Sequence, residues 1–158
     1  PAFTRALRAL DACLDKAQAH ADALKCDIGN ILSARLAPDM FPLGRQIQIA
    51  CDFAKGVSAR LAEVDMPIYE DNEVSLAEFK ARIAKTIAFI QTVTPAQIDG
   101  TEEKEIVVKR RDKETRYKGM QFLLGHAVPN FYFHVTTAYN ILRHNGIEIG
   151  KRDYLGNP

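Results

Sequence analysis

The stretch Gly119–Gly146, GMQFLLGHAVPNFYFHVTTAYNILRHNG, decides the fold. Phe122, Leu123, Leu124, Val128, Phe131, Phe133, Val135, Ala138, Ile141 and Leu142 leave it almost no polar flank, the pattern of a helix buried on all sides. His126, Asn130 and His134 recur at intervals of four. Each is displaced only about 40° from the last, so they stack along one face, the way a helix offers ligands to one metal. Pro129 has no N–H for the carbonyl of Gly125, which predicts a kink or restart with Asn130 and His134 just past it. Asn145-Gly146 supplies the stop, with Arg143 and His144 where the helix dipole favours positive charge.

Working outward, Ile106-Val107-Val108 and Thr115-Arg116-Tyr117 flank a polar turn at Arg111 to Glu114, a short β-hairpin over 105–118. Before it, Thr94-Pro95-Ala96-Gln97 starts about one helical turn that Asp99-Gly100 closes. Ser75 with Glu78 reads as a capping box, opening a helix over 76–92 that turns Leu76, Phe79, Ile83, Ile87 and Ile90 inward. A helix over 42–63 carries Ile47, Ala50, Ala54, Val57 and Leu61 on its core face, widened by Ile49 and Phe53. Along its flank Arg45, Gln48 and Asp52 form a polar line. This is either a wetted flank or a route for Asp52 to reach inward as an oxygen ligand or base. Phe3, Leu7, Leu10, Leu14, Ala17, Ala21 and Leu24 mark the first helix, over 2–26, with His20 toward solvent. Between the first two helices Gly29-Asn30 ends one element, and Pro38 to Pro42 is a stiff connection. The tail after Gly146 is expected to be ordered, because Ile147, Ile149, Tyr154 and Leu155 are too apolar to float free.

Four long amphipathic segments and one hairpin predict an all-α, up-down four-helix bundle spanning 1–158 as a single domain. The 158 residues, 47% hydrophobic, suffice for a substantial core, and a net charge of +1 gives no general case for nucleic acid. Lys104, Lys109, Arg110, Arg111, Lys113, Arg116 and Lys118 crowd the hairpin and read as a solvated surface. Cys13, Cys26 and Cys51 are odd in number and lack CxxC spacing, which suits reduced thiols in a cytoplasmic protein without disulfides. No apolar run reaches the ~18 residues of a membrane span and no charged-then-apolar leader is seen. The chain opens at Pro1 without methionine, as expected if residues upstream were trimmed.

No Gly-rich phosphate loop, nucleophile elbow, HExxH or paired CxxC occurs, so chemistry rests on the last helix and its neighbour. His134 is the sharpest candidate. A neutral imidazole in a bundle interior is a good zinc or nickel ligand, although a histidine in an apolar helix is more often a hydrogen-bonded core residue.

The pattern HxxxNxxxHxxxxxxxLRxxG from His126 to Gly146 resembles the last helix of the DinB/YfiT-like bundles, written HxxxHxxxHRGQxxxxLRxxG. The spacing from His134 through Leu142-Arg143 to Gly146 matches without a gap. LAPDMFPLGRQIQIACDFAKG and HVTTAYNILRHNG resemble a branch of that superfamily classed as a domain of unknown function. The resemblance implies a DinB-like, bacterial, commonly dimeric bundle in a superfamily where a three-histidine divalent metal site lies between the second and last long helices. Several of its members are thiol-dependent transferases or isomerases. Of the three histidines only the last carries over, as His134; the middle one is Asn130 here. The position on the second long helix falls to Asp52 or Gln48, with no histidine between His20 and His126, and the RGQ segment is Val135-Thr136-Thr137. A metal held by Asp52 (or Gln48), Asn130 and His134 would be bound more weakly than by three imidazoles.

Two functions follow as expectations. The first is a metal-dependent or degenerate thiol-dependent transferase or isomerase with a small-molecule pocket between the second and last long helices. Its catalytic candidates are Asp52, His134 and Tyr139, and Tyr139 or Arg45 would orient an anionic substrate. The second is a non-catalytic binding or stress-response module that has lost the metal. Either would form a homodimer, using extra apolar surface at Phe131, Phe133 and the tail.

Overall fold

The computed structural model describes residues 1–110 and 112–156. Four long helices form the bundle: α1 (Ala2–Leu24), α3 (Leu43–Ala62), α4 (Leu76–Thr92) and α7 (Val128–His144). Between and after them lie α2 (Ile28–Leu32), α5 (Pro95–Ile98), β1 (Glu105–Arg110), β2 (Lys113–Lys118), α6 (Gly119–Gln121), a π-helical segment Phe122–Ala127 and α8 (Lys151–Leu155). Helix α3 sits centrally, packed on α7 and α4, while α1 packs on α4, α7 and α8. Among the described residues, no helix is long and apolar enough to cross a membrane.

The expected helices form, and their ends have local causes. Helix α1 stops at Leu24 rather than at 26, because Lys25 turns left-handed at φ 54° and its amide meets the carbonyls of Ala21 and Asp22. Glu63 ends α3 in the same way at φ 53°. The capping box of α4 is complete: Ser75 Oγ accepts from the Glu78 amide, and Glu78 Oε2 accepts from the Ser75 amide at 2.8 Å. Gly29-Asn30 does not end an element. It lies inside α2, which begins where the Asp27 carboxylate caps the Gly29 amide at 2.8 Å.

The hairpin is antiparallel, with Glu105 opposite Lys118 and Arg110 opposite Lys113, so β2 begins at Lys113 instead of after Glu114. Arg111, expected in the turn, lies outside the described residues. The basic side chains beside it meet acids: Arg116 pairs with Glu105 and Glu114, Lys118 with Glu103, and Lys104 with Glu63.

Pro129 is absorbed differently from a simple kink. The helix widens into the π-helical turn just before it, Pro129 falls in the first turn of α7, and the Asn130 side-chain amide donates to the His126 carbonyl at 2.7 Å. At the far end Gly146 turns to φ 88° and the Ile147 amide reaches back to Leu142. Ile147 and Ile149 are then buried, and α8 is held on α1 by the Lys16–Asp153 ion pair. Phe131 belongs to this core and not to the surface. It is fully buried edge-on against Phe3, leaving Phe133 exposed.

Candidate functional site

The polar line of α3 faces α4 and the connection before it. Arg82, fully buried on α4, is the hub: its guanidinium meets Asp52 at 2.9 Å, Asp71 at 2.9 Å, Glu73 at 3.0 Å and the Glu70 carbonyl at 3.1 Å. Lys55 adds a second cation to Asp52 at 3.0 Å. Gln48 donates to Glu73 at 2.9 Å and accepts from Arg45, which also pairs with Asp71. Burial pushes Glu73 and Asp71 up, but the hydrogen bonds from Gln48 and Arg82 to the first, and from Arg45 to the second, outweigh it and hold both carboxyls below their usual values. Tyr69 lies over this cluster, its ring face toward Lys55 at 3.8 Å and Lys85 at 4.1 Å. Asp52 is thus a partner of two cations. Cys51, beside it in sequence, is pushed up to about 12 by burial and is not a ready nucleophile.

His134, on α7, packs against another face of α3. Its Nδ1 meets Gln46 Oε1 at 2.7 Å, and its ring stacks on Phe53 at 5.9 Å with 18° between planes. Gln46 and Phe53 are seven residues apart, two turns of α3, so both look toward α7. The other end of the Gln46 amide donates to the Phe41 carbonyl at 3.0 Å. That fixes which amide atom faces the imidazole: the oxygen accepts, so Nδ1 carries the proton and Nε2 keeps its lone pair. Burial, and then the positive charge of Arg45, push His134 down to about 4. It is neutral at physiological pH. His126, eight residues before His134 and within the π-helical segment, sits among the rings of Tyr117, Phe122 and Phe53.

The residues proposed from sequence as one site are therefore divided. Asp52 and Gln48 belong to the Arg82 cluster, His134 to the Gln46–Phe53 face, and Asn130 is engaged with its own helix at the His126 carbonyl. Tyr139 points to the tail, donating to the Ile149 carbonyl at 3.4 Å and packing edge-on against Tyr154. The donor set does not fit a divalent metal. The one imidazole offers a single lone pair, at Nε2, with no second histidine beside it among the described residues, the charge that acts on it is the cation Arg45, and the Asp52 carboxylate is neutralised elsewhere. Among the described residues, no three His, Cys, Asp or Glu side chains are grouped to hold an ion.

The family model described as a domain of unknown function, DUF1993, matches residues 1–155. The chain belongs to the DUF1993 family. A crystal structure of a DinB family member protein from Shewanella denitrificans is 42% identical, with a TM-score of 0.93 over 99% of this chain and 88% of that one. This DUF1993 chain is thus a DinB-like bundle. The search of curated proteins returns no match.

Sequence reasoning missed Gln46, Arg82 and a cavity. Arg82 stands between Phe79 and Thr86 on the inward stripe of α4, and an arginine on an apolar stripe is itself a signal of a buried ion network. Gln46 had a similar signal, lying on the stripe it shares with Phe53. The cavity, about 480 Å³, opens between the C-terminal half of α3, the end of α4 with α5, and the π-helical segment. It borders both α3 and the last long helix, yet His134, Asn130 and Asp52 are not in its wall.

Proposed function

We propose that this DUF1993 protein is a metal-free, non-catalytic binding module of the DinB type. The observation that carries this reading is the chain Phe41 carbonyl, Gln46 amide, His134 imidazole, which locks one tautomer and leaves Nε2 as a fixed acceptor. Among the described residues Nε2 meets no hydrogen-bond partner. It is suited to accept a hydrogen bond from a ligand hydroxyl or N–H, with the Phe53 ring beneath the imidazole and exposed Phe133 edge-on beside it. A base near 4 is a poor proton acceptor at neutral pH, where a catalytic base works best with a value near the operating pH. Neither deprotonation of a thiol nor activation of water is then supported at His134, and binding is the reading that remains.

Exposed Phe133 and Phe41, both more than half accessible, also suit a homodimer in which this face is covered. Elemental analysis of protein purified without a histidine tag tests the metal-free reading. Less than about a tenth of an equivalent of zinc, nickel or other transition metal per chain is the expected result. A stoichiometric metal that His134→Leu removes would overturn it.

A further inference from the structure

We infer that the apolar cavity at the π-helical end is a second binding site, for a small apolar molecule that carries a hydrogen-bond donor and no negative charge. Its volume of about 480 Å³ falls within the roughly 300–1,000 Å³ of small-molecule sites. The wall is mostly hydrocarbon, from Phe3, Val57, Leu61, Ile90 and Val128. The π-helical segment supplies Leu123 and Leu124, and Leu124 stays 58% exposed although it borders the cavity. A π-helical turn is an uncommon conformation found often at functional sites, so its presence in the wall is an observation independent of the volume.

The polar groups of the wall give the ligand its chemistry. Ser58 donates its hydroxyl proton to the Ala54 carbonyl and Thr94 donates its own to Gln97 Oε1, so both offer only lone pairs to an occupant. Among the described residues of the wall Asp99 is the one acidic side chain, and it too is an acceptor. Tyr132 is the remaining polar side chain, and its hydroxyl can donate as well as accept. An alcohol finds acceptors here, whereas a carboxylate meets a like charge in a largely apolar setting and is penalised. This site is separate from the His134 face, and neither reading depends on the other.

The test uses 1-octanol, octanoate and heptyl methyl ether as probes of similar size. Octanol should raise the melting temperature saturably and move the backbone amide resonances of Val57, Leu61, Leu123, Leu124 and Val128. Octanoate should bind at least tenfold more weakly and the ether, which lacks the donor, severalfold more weakly. Asp99→Asn should narrow the gap between octanol and octanoate at least threefold. Ile98→Trp, on the half-exposed one-turn helix α5, should fill the cavity and weaken octanol at least tenfold. The proposal is overturned if octanol does not saturate, if the shifted amides lie elsewhere, if octanoate binds as well as octanol, or if folded Ile98→Trp binds octanol normally. Should Ile98→Trp fail to fold, the resonance map and the octanoate comparison on the wild type decide.

Discussion

His134 and Arg82 are both polar groups in an apolar bundle, and they solve the problem of burial in opposite ways. His134 gives up its charge. Its folded value near 4 lies below the ordinary 6.5, so between those values the unfolded chain binds a proton that the folded chain refuses. Stability therefore rises with pH across that window. The contribution is complete above 6.5 and is lost as pH falls toward 4. Urea melts at pH 4.5 and 7 should show this slope, and His134→Leu should flatten it while costing about 1–3 kcal/mol at pH 7 by orphaning the Gln46 carbonyl oxygen. Arg82 keeps its charge and gathers three carboxylates. Arg82→Met should cost about 3–5 kcal/mol, because Glu73, itself nearly buried, loses its cation. Arg82→Lys should recover only part of that, since one ammonium cannot span Asp52, Asp71 and Glu73 as the planar fork does. A wild-type-like urea midpoint for Arg82→Met would refute the hub role. At this scale the sequence was half legible. The oddness of His134 in an apolar helix was readable, but its partner was not, because periodicity says which face a residue occupies and not which of Gln46, Gln48 or Asp52 faces it across the groove.

Among the elements, the long helices were legible because apolar spacing and capping residues are local signals: Ser75 and Glu78 place the start of α4 correctly. The left-handed ends at Lys25 and Glu63 were not, since neither residue is glycine or asparagine and packing after the turn imposes the conformation. The π-helical turn was hidden for a related reason. Pro129 announces a disturbance, but whether the backbone kinks or widens depends on what the neighbouring elements accept. The hinge between hairpin and last helix is tight: a Cβ on Gly119 would stand 1.9 Å from the Thr101 carbonyl oxygen. Gly119→Ala should therefore destabilise by about 1–3 kcal/mol or more, with the backbone forced to move. Gly125→Ala, where a Cβ would meet nothing within 4 Å, is the control and should be close to neutral. Equal midpoints for the two variants in urea would contradict the close approach at Gly119.

For the whole molecule, the fold followed from four amphipathic stripes and one hairpin, while the site did not, because a site depends on how helices are rotated against each other. The resemblance pointed to a face between α3 and the last helix, and the structure fills that face with Gln46, Phe53 and a neutral histidine in place of an imidazole triad. Phe133 and Phe41 leave apolar surface there, and light scattering at micromolar concentration should give about twice the chain mass; a strict monomer would remove the dimer from the account. We propose that the bundle works without a metal. It is tested most directly by the melting temperature of the tag-free protein in excess zinc or nickel and in chelator, beside His134→Leu. Identical wild-type melts in both conditions and a lower melt for the variant in each are the expected result. A wild-type melt raised by metal, as a ligand at a hundredfold excess over its Kd would raise it by about 2.7 kcal/mol, and lost in His134→Leu, would contradict it.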